Sequence, residues 1–243
     1  MKISAMALCL CALWCAGAQA ACRQALAVGL DVSGSVDTTE YRLQLDGLAA
    51  ALEDAEVQAA FLAMPQAPVR LMLFEWSGLR DQRILADWQT ITAGAQLSAI
   101  AADLRRTGIG RAKDPSTAIA AAMVFGARAA LDQAACWQKT VDISGDGPGN
   151  IGRHPRDLTE ADLGAVTING LVIGPQSRAN TSKNLQNVKS LEGYYRNFVL
   201  RGPGAFAEVA RDHADFAAAM KRKLIREIQA PILSGMTRPG PAQ

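Results

Sequence analysis

Residues 29–40, GLDVSGSVDTTE, begin with the end of an apolar run, ALAVGL, and continue as a polar stretch. Asp31, Ser33 and Ser35 stand at every second position of that stretch. Alternate residues of a strand share one face, and beyond a strand end small side chains on a turning backbone can converge on one point. A charge at the end of a buried strand, such as Asp31, needs a partner or a metal. The stretch therefore predicts an oxygen-rich site at a strand end.

The same stretch contains the beginning of a helix. Ser35 or Asp37 is a candidate N-cap for a helix that starts near Thr38, with Glu40 in its first turn. Capping explains one or two of these side chains. Capping does not explain Asp31, so the oxygen-rich site is kept as a second hypothesis for this stretch.

Apolar strand patterns alternate with helical patterns along the chain. The predicted strands are Ala25–Leu30, Val69–Trp76, Thr140–Ser144, Val166–Ile173 and, more weakly, Tyr194–Leu200, and the predicted helices are Glu40–Leu62, Ala95–Arg105, Thr117–Gln133 and Asp212–Gln229. Apolar strands that alternate with helices are typical of a parallel sheet covered on both faces. Gln82–Trp88 follows the second strand closely enough to be an antiparallel edge strand. We predict one α/β domain, residues 21–233, with a doubly wound, mostly parallel sheet and helices on both faces.

Composition excludes one class of partner. The net charge is +2 without a large basic block, and aromatic residues make up 5% of the chain, so nothing favours nucleic acid. The last helix carries four basic residues that suggest either a partner surface or, as we expect, the solvated face of an amphipathic helix. These residues are Lys221, Arg222, Lys223 and Arg226.

The first twenty residues have the pattern of a secretory signal. Lys2 precedes an apolar stretch that ends at Ala18-Gln19-Ala20, an A-x-A cleavage site. The apolar stretch is shorter than the roughly 20 residues of a spanning helix, so we expect no membrane span after cleavage. The protein is then periplasmic or secreted from a bacterium, and lipidation of Cys22 stays an open alternative. The tail, residues 234–243, is rich in Gly and Pro and is predicted to be disordered.

Cleavage after Ala20 leaves two cysteines, Cys22 and Cys136. An even number in an oxidising compartment predicts a disulfide, and two buried free thiols are the alternative. The positions favour the disulfide, because each cysteine precedes a strand-like run that leads to an aspartate, Asp31 or Asp146.

Two further polar features belong with the first stretch. The segment ISGDGPGN, residues 143–150, places Asp146 after a strand, and DPSTAIAAAM, residues 114–123, places Thr117 before an apolar helix. Ligands of open α/β sheets gather at the carboxyl ends of strands. Two carboxylates and three hydroxyls make an all-oxygen donor set, which suits a hard cation such as Mg²⁺ better than zinc.

These residues resemble the von Willebrand factor A-type (vWA) domain and its metal-ion-dependent adhesion site (MIDAS). The D-x-S-x-S pattern matches at Asp31, Ser33 and Ser35, the lone threonine at Thr117 and the last aspartate at Asp146. The resemblance implies that the hydroxyls bind Mg²⁺, or Mn²⁺ or Ca²⁺, directly and that the two aspartates hold it directly or through waters. It also implies one free coordination position for an Asp or Glu of a partner protein.

One position departs from the vWA pattern. The family's threonine usually follows two glycines, whereas Thr117 follows Pro115-Ser116, and Thr107 in RTGIGRA is therefore a rival. A narrower resemblance covers nearly the whole mature chain, through DVSGSV, DISGDGPGN, TINGLVI and GPGAFAEV with DFAAAMKRKL. It points to a group of exported bacterial proteins described only as a domain of unknown function. The vWA resemblance also makes the first and fourth strands neighbours, which brings Cys22 and Cys136 to similar depth.

We therefore expect a non-enzymatic, exported module that captures an acidic side chain of an unknown partner protein through a bound cation. A metal-dependent hydrolase is one alternative, for which His154 is the loop histidine that could approach the site, whereas His213 is expected to be structural. A structural protein in which the metal only stabilises the fold is another.

Overall fold

A six-stranded sheet forms the middle of the protein, in the order β3-β2-β1-β4-β5-β6. The computed structural model describes residues 21–108, 112–175 and 182–229; the predicted signal, residues 1–20, and the tail, residues 234–243, lie outside them. All neighbours are parallel except β2 and β3, which confirms the predicted doubly wound sheet with one antiparallel edge strand. The strands are β1 Cys22–Asp31, β2 Val69–Trp76, β3 Gln82–Ile91, β4 Cys136–Gly145, β5 Thr167–Ile173 and β6 Ala207–Ala210.

Helices cover both faces of the sheet. The described helices are α1 Thr38–Glu53, α2 Ala55–Leu62, α3 Gly94–Arg106, α4 Ile119–Leu131, α5 Glu160–Leu163, α6 Ser182–Tyr194 and α7 Phe216–Gln229. Side chains of α1, α2, α3 and α7 pack into the core on one face, and those of α4, α5 and α6 pack on the other. None of the helices in the described ranges has the length and apolar character to cross a membrane.

The start of α1 shows which residue of the stretch 29–40 caps the helix. Asp37 is the N-cap: its Oδ1 accepts from the backbone N of Thr39 at 2.7 Å and of Glu40 at 2.8 Å. Glu40 Oε2 accepts in return from the backbone N of Asp37 at 2.9 Å, which completes a capping box. Because Asp37 caps the helix, Ser35 is left for another contact.

Two element predictions are wrong. The segment Glu40–Leu62 is two helices, because Asp54 leaves the helical conformation and caps α2 with its side chain. The segment Tyr194–Leu200 is not a strand: α6 ends at Tyr194 and is followed by a π-helical turn, Tyr195–Val199. Aromatic and branched residues are typical of strands, but here Tyr195 and Val199 belong to a turn and pack into the core on one face of the sheet. The sixth strand of the sheet is instead the short β6, later in the chain.

The basic residues of α7 do not all face solvent. Lys223 is fully buried, which corrects the prediction of a solvated basic face. It occupies the same stripe as Phe216, Met220 and Leu224, at helical spacing. Lys221 does lie at the surface, in an ion pair with Asp54.

The disulfide between Cys22 and Cys136 is present in the structure, with Cα atoms 4.2 Å apart. The two cysteines are directly opposite each other at the beginning of the parallel neighbours β1 and β4. The prediction of a disulfide is thus confirmed, and the alternative of two free thiols is wrong. The bond lies at the end of the sheet opposite to Asp31, so it joins the two strands whose other ends carry the polar loops.

Candidate metal centre

The polar loops that the sequence analysis singled out meet at the carboxyl edge of the sheet. Asp31 is the last residue of β1 and is in register with Trp76, the last residue of β2. Gly145 ends β4, the other neighbour of β1, and Asp146 follows it directly. The crevice at the carboxyl ends of parallel strands is the usual ligand site of such sheets.

Four of the five predicted site residues form one chain of contacts. The backbone N of Ser33 donates to Asp31 Oδ1 at 2.8 Å, and the hydroxyls of Ser33 and Ser35 lie 3.3 Å apart. Ser35 Oγ then donates to Asp146 Oδ1 at 2.6 Å. The structure therefore brings Asp31, Ser33, Ser35 and Asp146 together on two neighbouring loops.

Thr117, the fifth residue, lies in a loop that is hydrogen-bonded to three neighbouring loops. Pro115 O accepts from the backbone N of Gly34 at 2.7 Å, and Ala118 N donates to Ser77 O at 2.8 Å. Thr117 itself exchanges hydrogen bonds with Asn150: its N donates to Asn150 Oδ1 at 2.8 Å, and its O accepts from Asn150 N at 2.9 Å. The Thr117 loop is thereby fixed against the loops after β1, β2 and β4.

The rival threonine has a different environment. Thr107 follows the last residue of α3, and its hydroxyl donates to the backbone O of Asp103 at 3.0 Å. Its own backbone O accepts from the Arg42 guanidinium at 3.1 Å. These contacts make Thr107 a helix-end residue, whereas the contacts of Thr117 place it among the site loops.

The electrostatics of the site fit a divalent cation. Asp31 is completely buried, and its Oδ2 finds no hydrogen-bond partner among the described residues. Burial, together with the negative charge of Asp146, raises the pKa of Asp31 to about 7. A cation would offset both effects, and an all-oxygen donor set of two carboxylates and three hydroxyls is what a hard cation prefers. The described residues contain no cluster of three or more His, Cys, Asp or Glu side chains that could hold a metal.

Tyr195 is a residue of this site that the sequence analysis missed. Its hydroxyl is fully buried and, like Asp31 Oδ2, has no hydrogen-bond partner in the described parts of the chain. A Cβ on Gly145 would collide with Tyr195 Oη and would lie 3.1 Å from Asp31 Oδ2. Gly145 therefore leaves room for both of these polar atoms beside the end of β4. The signal was hidden because Tyr195 fell within a segment predicted as a strand.

Asp81 holds the Thr117 loop from the side of the β2–β3 turn. Its Oδ2 accepts from Ser77 Oγ at 2.9 Å and from the backbone N of Lys113 and Asp114 at 2.7 and 3.1 Å. Partial burial opposes ionisation, but these hydrogen bonds outweigh it and hold the pKa of Asp81 below its usual value. Asp81 thus anchors the loop without belonging to the predicted donor set.

His154 lies in the loop after β4 as a capping residue. Its Nδ1 accepts from the backbone N of Arg156 at 3.1 Å and caps the short 3₁₀ turn Pro155–Asp157. Its ring packs edge-on against Tyr194 and Phe198, with centroids 5.5 and 4.9 Å away. His213 is buried, with Nδ1 3.3 Å from Glu40 Oε1, and begins a 3₁₀ turn before α7.

Comparisons with known proteins agree with the architecture. A sequence-family profile described as "Protein of unknown function (DUF1194)" matches residues 21–232. No curated protein matches the sequence.

Three solved structures show the likeness of fold. The pilus adhesin SpaC from Lactobacillus rhamnosus GG superposes with a TM-score of 0.55 at 13% identity, over 86% of this chain and 31% of that one. A von Willebrand factor type A protein from Catenulispora acidiphila gives 0.51 at 15% identity, over 85% and 43%. Proximal thread matrix protein 1 from the mussel byssus, with a zinc-occupied MIDAS motif, gives 0.50 at 12% identity, over 86% and 46%. This chain thus spans less than half the length of each of them.

Proposed function

Because the chain belongs to the family described as "Protein of unknown function (DUF1194)" and has the vWA fold, we propose that it is an exported adhesion-type module that binds a partner protein through a divalent cation. The observation that carries the proposal is the hydrogen bond between Ser35 and Asp146. It closes the Asp31 loop onto the loop after β4 and gathers hydroxyl and carboxylate oxygens at one edge of the sheet. The metal-bearing MIDAS motif of the mussel protein supports the same assignment.

The five predicted site residues would have two different roles in this function. Ser33, Ser35 and Thr117 would hold the cation through neutral oxygens, and Asp31 and Asp146 would supply the negative charge. A bound Mg²⁺, Mn²⁺ or Ca²⁺ supplies an open coordination position for an Asp or Glu carboxylate of the partner. Two fixed carboxylates balance the charge of a divalent ion, and the hydroxyls add no further negative charge. A third fixed carboxylate would make the site negative and would repel the carboxylate of the partner.

Exposed apolar side chains on the loops after β2 and β4 support a protein partner. Leu79, after β2, is 46% exposed, and Ile151, after β4, is 38% exposed. Gly152, with φ of 78°, turns the second loop so that its backbone packs against Leu79. A single carboxylate contact is small, so specificity would come from such loop residues around it.

We propose binding without catalysis. His154 Nδ1 accepts from the backbone N of Arg156, and His213 is buried against Glu40. Among the described residues, the hydrogen bonds that involve side chains link Ser33 and Ser35 to each other, to Asp31 and to Asp146, and none links them to a histidine. General-base catalysis needs a base within hydrogen-bond reach of the nucleophile or of its water. The proposed signal, residues 1–20, would export the protein. Outside the cytoplasm the protein would have access to Mg²⁺ and Ca²⁺.

A capture experiment tests this function. The immobilised protein is incubated with a bacterial envelope extract in Mg²⁺ and eluted with EDTA, with Ser33→Ala/Ser35→Ala as the matched bait. We expect one or more proteins that elute with EDTA from the wild type and are absent from the variant. Replacement of an acidic residue of the captured protein by its amide should then abolish binding.

Two outcomes would contradict the proposal. A partner retained equally in EDTA and by the variant would show that the interface lies elsewhere and that the metal is structural. Metal-dependent turnover of model esters or phosphates that disappears in His154→Ala would identify a hydrolase.

A further inference from the structure

Four polar side chains form a buried cluster between the sheet and α7, away from the candidate metal centre. Lys223 and Glu227 come from α7, Asp142 from the middle of β4 and Asn169 from β5. All four are at most 3% exposed. Charged residues are rarely buried so completely unless they are paired, and even a paired charge loses much of its hydration.

Lys223 and Asp142 are in direct contact. Lys223 Nζ lies 2.8 Å from Asp142 Oδ1, and the two side chains are 0% and 1% exposed. The amine nitrogen and the carboxyl group are therefore held together away from bulk solvent, as a nucleophile and an acyl group must be to react without an external reagent.

Glu227 contacts Lys223 directly and is held in position by Asn169. Its Oε1 accepts from Lys223 Nζ at 2.9 Å and from Asn169 Nδ2 at 2.7 Å. Asn169 Oδ1 in turn accepts from the backbone N of Phe206 at 2.9 Å, which fixes the orientation of the amide. The second oxygen, Glu227 Oε2, is buried without a partner in the described chain.

The charges of the cluster do not balance. One ammonium faces two carboxylates, and burial together with the charge of Glu227 raises the pKa of Asp142 to about 7. Burial acts to lower the pKa of Lys223, but the two carboxylates outweigh it and raise that pKa. The Phe206 ring, 4.7 Å from Lys223 Nζ, closes the site on one side. Removing one positive and one negative charge together would relieve the cost of burying both.

We propose that Lys223 and Asp142 form an intramolecular amide bond between Nζ and Cγ, which joins α7 covalently to β4. The net change is an ammonium and a carboxylate going to an amide and one water. No other reactant is required.

The step is balanced through Glu227. Glu227 takes a proton from the Lys223 ammonium and passes it to the Asp142 carboxylate, which leaves a neutral amine beside a carboxylic acid. The amine lone pair attacks Cγ, and the bond between Cγ and the hydroxyl oxygen breaks. A second proton from the nitrogen reaches the leaving hydroxyl through Glu227, and water departs. Glu227 ends ionised as it began, and fixed proximity of the reacting groups supplies the rate advantage.

Mass spectrometry of the purified wild-type protein tests the bond directly. After reduction of the disulfide, the intact mass should be lower, by one water, than the sequence mass from the observed N-terminus. A protease digest should yield one branched peptide that joins the Asp142 and Lys223 segments. Lys221→Arg, which changes an exposed lysine of the same helix, should keep the mass loss, and Glu227→Gln should show the full sequence mass.

Three results would overturn the inference. The full sequence mass in the wild type, with Asp142 and Lys223 in separate peptides, would mean that the cluster is only an ion pair. Loss of one ammonia, with Lys223 joined to Asn169, would show that the acyl group comes from Asn169 and not from Asp142. A bond that forms equally in Glu227→Gln would exclude Glu227 as the proton carrier. The wild-type digest needs no variant to fold, so it decides the existence of the bond by itself.

Discussion

Ser35 Oγ donates a 2.6 Å hydrogen bond to Asp146 Oδ1, across 111 residues of sequence. The contact joins the loop after β1 to the loop after β4, and these two strands are neighbours in the sheet. Because Asp37 caps α1, Ser35 has no capping part and is available for this contact. The pair therefore defines one side of the proposed metal centre, and the following experiments test the residues around it.

Thr117 should be the threonine that matters for cation binding. Its loop is bonded to the loops around the site, whereas the hydroxyl of Thr107 is bonded to Asp103 at the end of α3. Valine keeps the shape of threonine and removes only the hydroxyl. By calorimetry with Mn²⁺ we expect Thr117→Val to bind at least about tenfold more weakly than wild type and Thr107→Val to bind equally well. The reverse order would reject the assignment of Thr117.

Asn150 should act on the site by holding Thr117. Its side chain accepts from the backbone N of Thr117 at 2.8 Å, and its Nδ2 donates a long hydrogen bond to Thr117 Oγ1 at 3.5 Å. Loss of a residue that orients a metal ligand typically costs about 10- to 100-fold in affinity, and we expect a loss of that size for Asn150→Ala. Asn150→Asp keeps an oxygen acceptor and should not lose affinity. Equal binding by wild type and Asn150→Ala would show that Thr117 does not need this contact.

Gly145 should be required because a side chain would not fit there, and not because its backbone needs a conformation that only glycine adopts. A Cβ there would collide with Tyr195 Oη, and overpacking of a buried site typically costs about 1–3 kcal/mol. We expect Gly145→Ala to lose that much unfolding free energy in urea denaturation. Tyr195→Phe removes the hydroxyl, and the double variant should recover most of the loss. Equal stability of Gly145→Ala with and without Tyr195→Phe would place the strain elsewhere.

The disulfide should contribute strongly to stability. The Cys22–Cys136 bond spans a sequence separation of 114, and the chain-entropy model gives about 4–5 kcal/mol for a loop of that length. Titration of the unfolded, unreduced protein from which the signal has been removed should find no free thiol. Cys22→Ala/Cys136→Ala should unfold at lower urea concentration than wild type. Two titratable thiols in the unreduced protein would contradict this disulfide in solution.

The sheet and much of the candidate site could be predicted from local sequence patterns. The run Ala25–Leu30 is apolar at every position, as a central strand must be, and the polar residues begin where it ends. Local patterns place Asp31, Ser33 and Ser35 after one strand and Asp146 after another. The order of the strands is not a local property, and the vWA resemblance was needed to predict that these two strands are neighbours.

Residues that act through tertiary packing were harder to find. Tyr195 belongs to a π-helical turn, and no local pattern distinguishes its aromatic segment from a strand. The charge of Lys223 predicts exposure to solvent, yet Ala219, Lys223 and Glu227 continue the three- and four-residue spacing of the buried stripe of α7. That spacing, with opposite charges at 223 and 227, was the available signal for a buried pair.

Titration of the purified protein with Mg²⁺ or Mn²⁺ by calorimetry tests the metal centre most directly. Wild type should bind one divalent ion per chain, and Asp31→Ala should show no binding while its circular dichroism spectrum and its disulfide are unchanged. Asp87→Asn, which changes an exposed carboxylate on β3, is the matched control and should bind as wild type does. Equal affinity in wild type and Asp31→Ala would contradict a metal centre at this edge of the sheet.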